Sequence, residues 1–122
     1  MSMAISFRDL RIWQKGFKLL NEVYEVTKKF PDEEKFCITQ QIRKSANLII
    51  ANIAEAHGRF YYKDKIRVIY ISRGELEETR SHLLVAKGLG YVSDEKWEYS
   101  KKEYEGLLIV INEYIGALSN KS

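Results

Sequence analysis

Two apolar rows run together along residues 10–30. Leu10, Trp13, Phe17, Leu20 and Tyr24 recur at three- and four-residue spacing, and so do Ile12, Gly16, Leu19, Val23, Val26 and Phe30. Both rows belong to one helix, their centres about 100° apart, while Arg11, Gln14, Lys15, Lys18, Glu22 and Glu25 share its polar face. Ser6 supplies a cap, Asp9 an acid in the first turn, and Pro31 a stop, which predicts a first helix over about 7–30.

The next run opens with Asp32, Glu33 and Glu34 and closes at His57-Gly58, predicting a second helix over about 33–57 with Asp32 as its N-cap. Its stretch "SANLIIANIA", residues 45–54, carries no charge, and only the Lys44, Asn47, Ala51, Glu55 stripe is polar. A helix apolar nearly all round is buried nearly all round. Tyr62, Ile66, Ile69, Leu76 and Leu83 mark a third helix over about 62–89, ending at Gly88 to Gly90. Trp97, Tyr104, Leu108, Ile111, Ile115 and Leu118 mark a fourth over about 94–118, capped by Ser93. Short connections make neighbours antiparallel, so the pattern predicts an all-α, up-down-up-down four-helix bundle spanning residues 1–122 as one domain.

A bundle needs one stripe per helix, yet the first two helices show more. The surplus predicts self-association as a symmetric homo-oligomer, with Ile12, Leu19, Val23, Leu48 and Ile50 as the expected interface.

Composition adds limits. A single Cys37 allows no internal disulfide and no thiolate metal site, which fits a reducing cytoplasm. No apolar run approaches the roughly 20 residues a bilayer span requires, so no membrane partner is expected. The net charge is +3, but residues 1–73 hold 14 Lys and Arg against 8 Asp and Glu, whereas residues 74–122 hold 6 against 9. Attraction for a polyanion therefore belongs to the first half.

Glu55 falls in the last turn of the second helix, where the dipole disfavours an anion, so it calls for a cation such as Arg59. With no nucleophile or second carboxylate beside it, the expectation is a structural pair at a helix end. Asn52 reads as a buried amide bonded to a neighbouring backbone or subunit. Arg73 lies on the apolar stripe between Ile69 and Leu76 and needs a partner, with Glu77 the nearest. His57 and His82 lack the Glu-x-x-His pairs of a bundle metal site, and no Gly-rich phosphate loop is present, so neither a metal, a cofactor nor catalysis is expected.

The stretch "RFYYKDKIR" gathers Arg59, Lys63, Lys65 and Arg67 around Phe60, Tyr61 and Tyr62. Cations beside aromatic rings can hold phosphate and stack a base. A solvated helix start accounts for the same residues equally well. Arg8, Arg11, Lys15 and Lys18 form a second basic surface on the first helix.

The blocks "FRDLRIWQKG", "FPDEEKF", "QIRKSANLIIANIAEAHGR" and "SRGELEETRSHLLVAKGLGYV", in that order, closely resemble the bacterial four-helix bundle family encoded within intervening sequences of 23S ribosomal RNA genes. Relatives of that family include the accessory variability protein of diversity-generating retroelements. The resemblance implies a homopentameric barrel of bundles without enzymatic activity, whose basic surface binds RNA or DNA, and it tips the basic stretch toward nucleic acid. The chain departs from the family pattern at Ala56-His57, at Tyr61-Tyr62, where a serine cap is usual, and at Glu75, where a small Ser is usual. The competing reading is a protein-protein adaptor, for example accessory to a reverse transcriptase, with nucleic-acid binding incidental.

Overall fold

The computed structural model describes residues 6–122. It is all-α: α1 Arg11–Thr27, α2 Ile38–Gly58, α3 Tyr62–Gly88 and α4 Asp94–Ser119, with no strand among the described residues. No helix among them is long and apolar enough to cross a membrane.

Two helix starts differ from expectation. Ser6 closes a capping box with Asp9, but on a single 3-10 turn, Phe7–Asp9, and extended Leu10 separates that turn from α1. Asp32 likewise sits in a 3-10 turn, Asp32–Glu34, rather than capping α2. The backbone of Cys37 (φ −116°, ψ −114°) lies outside the helical region, so α2 begins only at Ile38. α1 also stops early, at Thr27. Phe30 precedes Pro31, and that position disfavours a helical backbone. The Ser93 cap behaves as the sequence predicts, accepting from Lys96 N at 3.1 Å. Between α3 and α4 the chain reverses at Gly90, whose φ of +86° is open to glycine at little cost.

Side-chain contacts fix the directions. Gly16 meets Ile50 and Thr27 meets Arg43 across α1 and α2. Ser72 donates to Ile49 O at 2.7 Å, and Ser45 and Thr79 share a hydrogen bond of 2.7 Å across α2 and α3. Arg73 meets Asn112 and Arg80 meets Glu105 across α3 and α4, while Lys18 meets Glu103 and Glu22 meets Tyr99 across α1 and α4. In every pair the residue number rises on one helix as it falls on the other. Each helix therefore runs antiparallel to its two neighbours, around a core that includes Ile42, Ile49, Ile53, Ile69, Leu76, Leu107 and Ile111.

This ring of contacts absorbs the uncharged run of α2. Ile50 turns toward α1 while Ser45 turns toward α3, whose Ser72 also bonds the Ile49 carbonyl, so one helix hides two faces inside the chain. The two rows of α1 separate in the same way. Ile12, Gly16, Leu19 and Val23 are buried, whereas Phe17 and Tyr24 of the other row are exposed and Leu10, Trp13 and Leu20 are half-buried. The expected interface is thereby corrected: Ile12, Leu19, Val23 and Ile50 belong to the core of the chain itself, and only Leu48 is half-buried. Spacing alone shows that a helix has two apolar rows; which row turns inward depends on the neighbouring helix.

Candidate nucleic-acid interface

The corner between α2 and α3 is built by two short-range devices. Arg59 ends α2 in an extended conformation and its Nη2 donates to Glu55 Oε2 at 3.0 Å, the ion pair expected at this helix end. Lys65 reaches back from the first turn of α3 and donates to His57 O at 2.8 Å and Ala56 O at 3.4 Å. Both carbonyls lie at the negative end of α2, which a cation suits, and Ala56 O also accepts from Arg59 N at 3.1 Å. Burial holds the Lys65 ammonium below its usual range. Lys65 is accordingly corrected from a phosphate contact to a clasp between the two helices.

Phe60 and Tyr61 project from this corner. They are 84% and 67% exposed and meet edge to face at 4.9 Å between ring centroids. Tyr62 is different, half-buried against the core, so its ring offers less stacking surface than the sequence suggests. Lys63 and Arg67 are exposed, Arg67 lying 3.9 Å from Asp64. Tyr61, Tyr62, Lys63, Asp64 and Lys121 line a shallow groove between the start of α3 and the end of α4. The structure thus keeps Arg59, Lys63, Arg67, Phe60 and Tyr61 together at an accessible corner.

The α1 surface is more dispersed. Arg11 and Lys18 are exposed, Lys15 is half-buried, and Lys18 lies 3.9 Å from Glu103. Asn52 bonds within its own helix, donating to Leu48 O at 2.8 Å. Arg73 finds Asn112 Oδ1 at 2.8 Å and stacks on Tyr70, 4.6 Å from the ring centroid, while Glu77 pairs with Arg80 instead. A neutral amide and a ring face replace the expected carboxylate. Among the described residues no group of three or more His, Cys, Asp and Glu is placed to hold a metal ion.

Sequence reasoning misses a second cationic and aromatic region, at the end of α1 and the start of α2. Tyr24, Lys35, Phe36, Thr39, Gln40, Arg43, Lys44 and Asn47 line a groove there. In the sequence Tyr24 falls in an apolar row, and Arg43 and Lys44 directly precede the uncharged run of a helix whose pattern points to burial. The signal that could have found the groove is the pair of aromatics, Tyr24 and Phe36, close to Lys35, Arg43 and Lys44.

Glu75 is a further half-buried acid, on α3. Its Oε1 is buried without a hydrogen-bond partner among the described residues, and desolvation, reinforced by Glu78, raises its pKa. A carboxyl that holds its proton more tightly in the folded than in the unfolded chain loses stability as pH rises through the ordinary carboxylate range. Glu75→Gln should therefore raise the melting temperature at pH 7 and change it less at pH 4, which thermal scans at the two pH values will check.

The fold and surface define a small antiparallel helical bundle with exposed cations grouped around exposed rings. The chain belongs to the 23S rRNA-intervening sequence protein family, whose model matches residues 8–113. A crystal structure of a protein of unknown function from the S23 ribosomal protein family of Bacteroides thetaiotaomicron VPI-5482 is similar, with a TM-score of 0.78 and 24% identity. It covers 85% of this chain and 97% of its own, and the likeness is one of fold. No curated protein matches the chain significantly.

Proposed function

We propose that this protein acts without catalysis, as a self-assembling bundle that binds RNA or DNA through phosphate contacts and ring stacking. The observation that carries the reading is the α2–α3 corner, where Phe60 and Tyr61 stand in solvent beside Arg59, Lys63 and Arg67. Burying these rings is no part of forming the monomer's core. Rings held edge to face next to cations suit a base and its phosphates. Arg59 and Arg67 keep carboxylate neighbours, but their side chains are exposed and such pairs contribute little, so a phosphate can replace the carboxylate at small cost.

Self-assembly is supported by apolar side chains that the fold leaves outside. Ile71, Leu84, Val85 and Ile109 of α3 and α4 are all exposed. A pentamer, as the family resemblance implies, would repeat the corner five times and turn a modest charge into a multivalent field. Light scattering over a concentration series tests the assembly, and a species that stays at 14.3 kDa would refute it.

For nucleic acid the decisive variant is the triple substitution of Arg59, Lys63 and Arg67 by Ala, with Lys65 left in place to hold α2. Removing one cation that neutralises a phosphate should lower the slope of log affinity against log salt by roughly 0.7–0.9. Tyr61→Ala should weaken binding roughly five-fold or more and leave that slope unchanged. Fluorescence anisotropy with labelled RNA and DNA measures both. Unchanged affinity and slope in the triple variant would remove the corner from the binding surface.

A further inference from the structure

We propose that the groove between the end of α1 and the start of α2 is a binding site for single-stranded nucleic acid, with Arg43 and Lys44 seating a phosphate and Phe36 stacking a base. The inference rests on the nucleic-acid reading of the α2–α3 corner but places a second contact at the opposite end of α2. That helix has 21 residues, so the groove and the corner stand roughly 30 Å apart at 1.5 Å per residue.

Arg43 is the centre of the site. Its Nε donates to Thr27 Oγ1 at 2.8 Å, and its guanidinium lies over the Tyr24 ring, 4.5 Å from the centroid. Thr27 is itself held by a hydrogen bond to Val23 O at 2.7 Å. The side chain is thus fixed by a hydroxyl and a ring, both neutral, and no carboxylate lies within ion-pair distance of it among the described residues. A guanidinium oriented this way keeps its terminal donors for a planar or tetrahedral oxyanion.

Three other features converge on the same groove. Lys35 and Lys44 add two cations, again without a carboxylate at ion-pair distance among the described residues, and no acid lines the groove. Phe36 is 79% exposed, with Lys35 Nζ 5.5 Å from its ring centroid, which combines a stacking face and a charge. Thr39, in the wall, is only 7% exposed, yet its Oγ1 has no hydrogen-bond partner among the described residues. A buried hydroxyl without a partner is costly, and a ligand oxygen would satisfy it after a rotation of the side chain. Cations alone would fit any polyanion. The exposed ring favours a ligand that has both phosphates and flat bases.

The test uses the full chain and a labelled oligouridylate of about 12 nucleotides, long enough to cover one stacking site. Phe36→Ala, at an exposed position, should weaken binding roughly five- to a hundred-fold with the salt slope unchanged. Arg43→Gln and Lys44→Ala should each weaken binding and lower the slope by about 0.7, with far-UV circular dichroism confirming that the helices remain. If these variants bind like the parent while the Arg59, Lys63 and Arg67 triple variant is weakened, the groove proposal is overturned and the corner reading stands. If the parent binds neither RNA nor DNA, both fall. Competition by duplex of the same sequence as effective as by single strand, or by polyglutamate as effective as by the oligonucleotide, would also overturn the proposal, because neither competitor offers free base faces.

Discussion

Ile50→Asp is expected to abolish the cooperative unfolding transition of the chain itself, whatever its assembly state. Ile50 is 5% exposed and packs against Gly16 of α1. Removing the isoleucine forfeits about 2–3 kcal/mol of apolar burial. The carboxylate that replaces it costs several kcal/mol more, either as a buried charge or through uptake of a proton. The sum approaches the ~5–15 kcal/mol by which a domain is stable. Leu48→Asp, at a half-buried position, should cost about 1–2 kcal/mol and leave a cooperative transition. Thermal melts followed at 222 nm separate the two, and equal melting temperatures for Ile50→Asp and Leu48→Asp would contradict the different burial of the two side chains.

Gly16→Ala should destabilise, against the ordinary preference of helices. Inside a helix this substitution normally stabilises by about 1 kcal/mol, because alanine loses less backbone freedom. Here an added Cβ would overlap Ile50 Cγ2, a branched atom held in the core and unable to swing away as the end of a long side chain could. Overpacking of this kind costs about 1–3 kcal/mol, enough to reverse the sign. The partner change Ile50→Ala clears the atom in question, so Gly16→Ala introduced into the Ile50→Ala background should cost less than in the parent, or even stabilise. A double-mutant cycle from urea titrations measures that coupling. Strict additivity would show that the two helices do not meet at these residues.

The four helices were legible because α2, α3 and α4 repeat apolar residues at helical spacing between clear stops, and their predicted limits fall within one residue of the observed ends except where α2 begins. The starts of α1 and α2 were less legible. Ser6 and Asp32 carry the chemistry of caps, but each introduces only a 3-10 turn, and nothing local to the sequence distinguishes a turn that continues from one that breaks at Leu10 or Cys37. The assignment of faces on α1 failed for a different reason. Both rows are apolar enough to be buried, and the choice falls to Gly16, whose missing side chain lets the row it belongs to approach Ile50.

The candidate site followed the same division. Arg59 with Glu55 is an interaction between residues four apart at one helix end, and it was readable from spacing. Lys65 bridging to the end of α2, Arg73 meeting Asn112 and Arg43 lying on Tyr24 join residues far apart in sequence or separated by a turn. Charge counting treats all of these cations as equivalent, whereas the fold engages Lys65 internally and holds Arg43 ready in an open groove.

The two hydroxyl links across α2 and α3, Ser45 with Thr79 and Ser72 with Ile49 O, bear on how the molecule opens. They lie at the most extensive helix-helix contact in the chain, and sliding or rotating either helix would break both together. α1 and α4 have no such buried polar link to each other among the described residues; their polar cross-contacts are surface pairs such as Lys18 with Glu103. Native-state amide exchange should therefore resolve a slow α2–α3 unit from a faster α1–α4 seam, the partially unfolded form being a helical hairpin from which the outer helices have detached.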